Sequence, residues 1–360
     1  MKAAVCYELG KPLVIEDLNV DPPQKGEVKV RTAATAICHS DIHALSGELP
    51  SRVPLVGGHE AAGYVEEVGE GVTQVKPGDP VVVSLVTSCG KCYYCARGLG
   101  HLCEAKWAMD QQSRLSNKKG QRIGAMMRVA GFAEYMLTTE PQCVPVPKDM
   151  PIDRACLLAC GVITGFGSVV NRAKVRPNES VVVIGTGGVG LNAIQGAAYS
   201  GAYPVIAVDI LDNKLEASRI FGATHTVNSA KEKDPIKAVQ ELTGGRGSDY
   251  AFITVGNTAA VQQGFNMTGP RGMTVIVGLA PGKQLDIPPM FFIRSEKTLC
   301  GGFMGSTVLS VDIPRYVTMY KNGTLKLDEL ITARYPLEKI NEAIDAVVKG
   351  KALRNIIMFQ

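Results

Sequence analysis

Val181-Val182-Val183-Ile184-Gly185-Thr186-Gly187-Gly188-Val189-Gly190 joins an apolar run to a glycine-rich loop. Four consecutive apolar residues read as a strand covered on both faces. Of the glycines that follow, Gly185 permits a tight turn and Gly187 lets the backbone approach a pyrophosphate. Gly190 lets the next helix pack closely on the strand, and Gly188 and Val189 complete the loop at that helix's N-terminus, which faces the anion. Gly-x-Gly-x-x-Gly alone is a weak signal. Here a second apolar run, Val205-Ile206-Ala207-Val208, ends at Asp209, nineteen residues beyond Gly190. A carboxylate at that point can accept from both ribose hydroxyls and repels a 2′-phosphate, so the expected cofactor is NAD and not NADP. The competing reading is that Asp209 caps a helix starting near Asp212. Lys214 is within reach of the same ribose; on its own it reads as a solvated helix residue.

Further along the chain, Asp249–Val255 and Met273–Val277 read as more buried strands, and Leu191–Ser200 and Lys214–Phe221 as helices, the second stopped by Gly222. Strand and helix alternating in this way predict an α/β, doubly wound parallel sheet. The preceding part reads as β-rich: runs such as Val28–Arg31 and Val81–Val83 lie between Asp21-Pro22-Pro23 and Lys76-Pro77-Gly78-Asp79 turns. Toward the C-terminus, a helix is expected over Leu337–Lys349, ended by Gly350. The apolar Ile356–Phe359 then reads as a strand returning to the first part, which would make that part discontinuous.

Composition bounds the function. At 360 residues the chain suits two domains. A net charge of +4 over that length forms no basic stripe, so nucleic acid is not an expected partner. Met1–Leu18 has no continuous apolar core of a secretory signal. Ser180–Val208 is uncharged but holds six glycines, which fits a strand–turn–helix–strand unit and not a lipid span. The expectation is a cytoplasmic protein without a membrane segment.

Of the ten cysteines, Cys89, Cys92, Cys95 and Cys103 fall within fifteen residues. Clustering of this kind in such a chain points to metal and not to disulfides. Four thiolates close a tetrahedral Zn²⁺ shell, leaving no open position, so the ion would stabilise a loop; Gly90, Lys91, Gly98 and Gly100 help the chain wrap. An iron–sulfur cluster is the competitor, but the last gap is seven residues and no Pro follows Cys103. Other metal-capable side chains stand in Cys38-His39-Ser40-Asp41-Ile42-His43, in Gly57-Gly58-His59-Glu60 and in Ala159-Cys160-Gly161. Taken singly, each also reads as a packed thiol or a satisfied turn histidine, and spacing cannot join them across a gap of 100 residues.

These motifs together resemble the zinc-dependent medium-chain alcohol dehydrogenases. Gly58-His59-Glu60-Ala61-Ala62-Gly63, the Cys-x-Ser-Asp segment at Cys38, the four-cysteine lobe, Cys160-Gly161 with Thr164-Gly165, and the glycine loop occur in family order over essentially the whole chain. The resemblance implies a Rossmann NAD domain over 162–303. It implies a GroES-like catalytic domain over 1–161, with its zinc lobe at about 88–104, completed by 304–360. It implies two zincs per chain: a catalytic one on Cys38, His59 and Cys160 with the fourth corner open, the ligand set general to alcohol dehydrogenases, and a structural one on the lobe. Asp41 would orient His59 and Glu60 would be the nearby carboxylate. An alcohol bound to the catalytic zinc would lose its proton and pass hydride to NAD. Ser40 and His43, with the cofactor ribose between them, would carry the proton out. His39 and Arg354 match positions that touch the pyrophosphate. Thr164 and Val189 match positions beside the nicotinamide, and Val255 and Val277 are assigned to the cofactor as well.

Leu49, Leu85, Trp107 and Phe303 align with substrate-pocket positions and point to an apolar alcohol or the matching aldehyde or ketone. The rival is a thiol-adduct (S-hydroxymethyl-type) formaldehyde dehydrogenase. Leu49 and Trp107 stand where that group has charged residues, although Glu48 and Lys106 are adjacent. A non-catalytic NAD(P)H binder is the remaining alternative, disfavoured by the presence of every ligand type. By the same resemblance the segment between lobe and Cys160 favours a homodimer over a tetramer, joined around Leu299–Met304.

Overall fold

Val181–Ile184 is a central strand of an all-parallel six-stranded sheet in this computed structural model, which describes residues 1–279 and 284–360. Its neighbours are Val205–Asp209 on one side and Ser248–Ile253 on the other, in register Val183 with Ala207 and Phe252. The order continues to His225–Asn228 at one edge, and through Thr268–Ile276 to Thr298–Gly301 at the other. Numbered along the chain this is 3-2-1-4-5-6, and the order reverses beside Val181–Ile184, where α/β sheets open a crevice at their carboxyl ends. Val181, Val182 and Val183 have no exposed surface, as expected of a strand covered on both faces. The helices Gly188–Tyr199 and Asp212–Ile220 connect these strands.

The chain divides into two units, Met1–Cys160 with Val308–Gln360, and Gly161–Thr307. The first is β-rich. Lys2–Cys6, Val14–Val20, Leu115–Asn117, Arg122–Ala125 and Leu55–Val56 close a small barrel. Beside them a mostly antiparallel sheet runs from Cys143–Pro145 through Pro80–Ser84, Glu60–Val68 and Glu27–Ala36 to Arg354–Met358 and Ile331–Pro336. The C-terminal strand pairs antiparallel with Glu27–Ala36, Ile356 opposite Ala36, so the tail does return to the first part of the chain. The expected helix over Leu337–Lys349 forms as a 3₁₀ turn, Leu337–Lys339, followed by an α-helix, Ile340–Val348. Ile340, Ala343 and Val347 are its buried residues and lie on one face. Among the described residues no single helix is long and apolar enough to cross a membrane.

Candidate functional site

Three segments of the first unit deliver one donor each. Cys38 is the N-cap of the helix His39–Ser46, His59 precedes the strand Glu60–Val68, and Cys160 follows the 3₁₀ turn Cys156–Ala159. Their ligand atoms all lie within 4.8 Å of one another, and none of the three is more than 6% exposed. The fully buried Asp41 carboxylate ties two of these segments together. One oxygen accepts from His59 Nδ1 at 2.8 Å and from the Gly58 N–H at 3.0 Å, and the other from the Cys38 N–H at 3.1 Å. A carboxylate that accepts from Nδ1–H fixes which nitrogen faces the sulfurs, Nε2, and in the neutral ring that nitrogen carries the lone pair. Gly58 is required at this bend: its φ is +86°, and a Cβ would stand 2.7 Å from the Phe132 backbone nitrogen.

The electrostatics follow from burial. Burial opposes a charged His59, but the charge and hydrogen bond of Asp41, joined by those of Cys38, hold its proton affinity well above the ordinary imidazole range. The Cys160 hydrogen bond, with the bond and charge of His59, holds Cys38 well below an ordinary thiol against the opposing effect of burial. Cys160 is pushed well up by its bond to Cys38 and by burial. Glu60 and Arg354 form a buried ion pair behind the donors: Arg354 Nη2 donates to both carboxylate oxygens at 2.7 and 2.8 Å, and Nη1 to the Ile37 carbonyl at 3.2 Å. Arg354 is only 4% exposed. Its outer nitrogens are turned to Glu60 and Ile37, and its charge compensates a carboxylate and two sulfurs.

Ser40 Oγ lies 3.1 Å from both Cys38 Sγ and His59 Nε2, against the donor cluster. One helical turn on, His43 is half-buried, its Nδ1 2.7 Å from Glu48 Oε2. His39 is exposed at the start of the same helix, its ring 6.4 Å from that of His43. Leu49, Leu85 and Trp107 are half-buried in this unit; Phe303 is 52% exposed in the other.

Cys89, Cys92, Cys95 and Cys103 also gather within 4.8 Å. Cys89 and Cys95 sulfurs are 3.9 Å apart, close to the edge of about 3.8 Å of a tetrahedron with Zn–S bonds of about 2.3 Å. All ten cysteines are free. Gly90 and Gly98 bend the loop with φ of +72° and +74°. Backbone N–H groups point at sulfur: Cys92 N to Cys89 Sγ at 3.3 Å, and Cys89 N to Cys103 Sγ at 3.4 Å. N–H donation from Cys95 and Glu104 lowers the Cys92 thiol to about 6, while burial lifts Cys103 to about 11. Both donor sets fit zinc: four sulfurs at tetrahedral spacing in one, and two sulfurs and an imidazole with one corner to spare in the other.

In the second unit the glycine loop has the shape its sequence predicts. Gly185 has φ of +91° and leaves no room for a side chain against Val255, and a Cβ on Gly190 would collide with the Gly185 carbonyl at 1.8 Å. Gly187 faces open space, as a loop that receives a phosphate must. Gly188 and Val189 open the helix Gly188–Tyr199. Asp209 is engaged by its own chain: Oδ2 accepts from Thr186 N and Oγ1 at 2.7 and 2.9 Å, and Oδ1 from Ile210 N and Leu211 N at 2.7 and 3.1 Å. These bonds go to the glycine loop and to the two residues after Asp209; the helix Asp212–Ile220 has Leu211 as its N-cap and takes no side-chain capping bond, so Asp209 does not cap it. Lys214 is half-buried on the helix Asp212–Ile220. Thr164 is buried with Oγ1 3.5 Å from Met304 Sδ, and Val255 and Val277 lie just past the carboxyl ends of their strands.

Sequence reading missed several of these contributors. Thr186 was visible only as a loop filler, and Ser88, whose hydroxyl donates to Cys95 Sγ at 3.2 Å, only as the residue before Cys89. Gly47, at φ +87°, turns the chain so that Glu48 meets His43; a glycine at a helix end was the available signal.

Comparison with known proteins agrees with this arrangement. Residues 24–148 match the alcohol dehydrogenase GroES-like domain, and residues 188–322 match the zinc-binding dehydrogenase domain. The NDMA-dependent alcohol dehydrogenase of Amycolatopsis methanolica is 42% identical over 99% of this chain and 98% of its own. Among solved structures, the alcohol dehydrogenase zinc-binding domain protein of Burkholderia ambifaria superposes with a TM-score of 0.94 at 34% identity, covering 100% of this chain and 98% of that one. Benzyl alcohol dehydrogenase of Acinetobacter calcoaceticus gives 0.93 at 33%, covering 100% and 99%. The chain belongs to the zinc-binding medium-chain alcohol dehydrogenase family. It is an enzyme, a zinc-dependent alcohol dehydrogenase, with one catalytic-type and one structural-type candidate zinc site.

Proposed function

We propose that this enzyme moves a hydride between NAD and the carbinol carbon of an apolar primary or secondary alcohol, interconverting it with the aldehyde or ketone. The observation that carries the proposal is the meeting of Cys38, His59 and Cys160 donor atoms within 4.8 Å, with the other histidine nitrogen committed to Asp41. Zinc on these three residues supplies a Lewis acid that makes a coordinated hydroxyl acidic near neutral pH. Ser40, hydrogen-bonded to the donor cluster, would accept the hydroxyl proton while giving up its own Oγ proton, which would travel by way of the cofactor ribose to His43 and from there to water. Bound NAD would accept the carbinol hydrogen with its electron pair, so that one proton and one hydride would leave the alcohol. Glu60, neutralised by Arg354, keeps a compensated carboxylate behind the sulfurs. The lobe cysteines hold the second zinc in a structural role.

On the second unit, Gly185, Gly187, Gly188, Val189 and Gly190 receive the pyrophosphate. Asp209 takes the adenosine ribose, which requires the Thr186 hydroxyl to share its acceptor; Lys214 flanks the same ribose. Thr164, Val255 and Val277 are assigned to the nicotinamide side, and His39 to a phosphate. Leu49, Leu85 and Trp107 supply apolar walls for the substrate, and the relative from Acinetobacter calcoaceticus is named for an aromatic alcohol. The unpaired side of the edge strand Thr298–Gly301, with Phe291 and Ile293 exposed nearby, supports a homodimer; light scattering at twice the chain mass checks it.

Initial rates with NAD and NADP, across short, branched and aromatic alcohols and S-hydroxymethyl thiol adducts, before and after chelation, test the whole reading. NDMA, for which the relative from Amycolatopsis methanolica is named, is added in a parallel arm. Apolar alcohols with NAD are expected to give the highest rates and chelation to abolish them. Asp209→Gly is expected to lower NAD preference about tenfold or more, the scale of one lost charge-assisted contact pair. Preference for thiol adducts would overturn the substrate class, and unchanged NAD discrimination the ribose assignment.

A further inference from the structure

The helix His39–Ser46 ends on Gly47, whose left-handed backbone reverses the chain. The reversal is fastened by Leu49 N–H donating to the His43 carbonyl at 3.0 Å. Ser46 Oγ lies 3.3 Å from that same carbonyl and 3.3 Å from Glu48 Oε1. The result delivers the other Glu48 oxygen to 2.7 Å from His43 Nδ1. Nothing in the zinc sites or the cofactor loop requires a carboxylate there.

We propose that Glu48 is a positioning residue for His43, selecting the tautomer in which Nδ1 carries the proton and Nε2 is the base. An ionised carboxylate can only accept, so the ring nitrogen at 2.7 Å must be the donor. In the neutral ring the lone pair is then on Nε2. When the alcohol proton arrives, an O–H bond breaks and an Nε2–H bond forms; Nδ1–H stays on Glu48, and the imidazolium returns the Nε2 proton to water. His43 is 24% exposed at its side chain, which gives that proton its exit. Without Glu48 the ring would divide between two tautomers and two orientations, and only one of them accepts. The pair is itself half open to solvent, with Glu48 56% exposed, so it adds little to folding and its loss should be read in proton transfer. This inference rests on the reading of His43 as the terminal base, and the experiment separates the two.

The zinc- and NAD-loaded enzyme, labelled with ¹⁵N-histidine, is compared with Glu48→Gln, Glu48→Ala and His43→Ala variants. Ring ¹⁵N shifts assigned to His43 by its loss in His43→Ala report the tautomer, and steady-state rates report kcat and KM. In the unaltered enzyme the neutral ring is expected as the Nδ1–H form. Glu48→Ala is expected to move it to a mixture and to lower kcat about five- to tenfold with KM within twofold. That loss is a fraction of the roughly 10²-fold or greater contribution of a whole general base. Added formate, a carboxylate that can take the vacated place, is expected to restore part of kcat. If His43→Ala is slow but Glu48→Ala and Glu48→Gln keep both the ¹⁵N pattern and kcat, the positioning role is overturned and the relay stands. If His43→Ala turns over at the original rate, both fall.

Discussion

The three-donor cluster and the four-cysteine lobe use the same sulfur chemistry in opposite surroundings. Cys38, His59 and Cys160 come from segments far apart in the chain and are at most 6% exposed. Cys89, Cys92, Cys95 and Cys103 come from one loop and are only half-buried. At the first site the protein supplies its own scaffold: Asp41 binds two of the donor segments, and the Glu60–Arg354 pair fills the charge behind them. At the lobe the organising contacts are a few N–H groups and one hydroxyl on sulfur. A buried site with compensated charge stays assembled when its ion leaves, whereas a surface loop of cysteines depends on the ion for its shape. The first kind suits chemistry at an open corner. The second suits holding a loop.

The largest effect expected from that contrast is at Cys160. Cys160→Ser should lower turnover by roughly 10³-fold or more, since a metal acting as Lewis acid supplies several kcal/mol of charge stabilisation. Bound zinc should fall from two ions per chain to one, and the melting temperature should change little. Metal analysis and calorimetry on the same sample check it; a variant retaining both zincs and full turnover would remove Cys160 from the ligand set.

Cys103→Ser is the reciprocal change, with an intermediate effect. One zinc is again lost, but now the loop should open, exposing 88–104 to protease while the three-donor site keeps its ion. Turnover at low temperature should stay within about threefold and the melting temperature should fall by roughly 5–10 °C, the scale of about 2–3 kcal/mol in a domain of this size. Protease sensitivity unchanged from that of the unaltered enzyme would show that the lobe does not depend on its ion.

The two sites also differed in how far the sequence displayed them. The lobe is a short-range pattern: four cysteines within fifteen residues carry their own geometry, as the glycine loop after Val181–Ile184 carries its turn. The convergence of Cys38, His59 and Cys160 is long-range, and spacing held no trace of it; only likeness to a family joined them. Asp41 was assigned by that likeness to His59, but its bonds to Cys38 N and Gly58 N depend on backbone geometry that no residue pattern encodes. The partner of Arg354 was hidden for a related reason. Flanked by Lys349 and Lys351 it resembles a surface cation, yet it starts the strand that inserts beside Glu27–Ala36, and this strand carries it to Glu60. Asp209 was read for its ligand, and its four bonds to its own chain appear only once the loop is folded. Local chemistry was legible, and what the sheet pairing brings together was not.

The smallest effect tests the contrast most closely. Ser88 Oγ donates to Cys95 Sγ at 3.2 Å and sits where a Cβ on Gly100 would come within 2.9 Å of it, so its place is fixed by the tight lobe. Ser88→Ala removes one hydrogen bond to a sulfur that zinc binding makes anionic. Bonds to charged groups are worth about 1.5–3 kcal/mol when buried, and less at a half-exposed site. Zinc affinity at the lobe should therefore drop by no more than about tenfold, read by competition against a chromogenic chelator, with turnover unaffected. A much larger drop would mean that the lobe, like the three-donor site, is held ready by its surrounding hydrogen bonds before any ion arrives. In that case the difference between a site built by the protein and one built by its metal would not describe this enzyme.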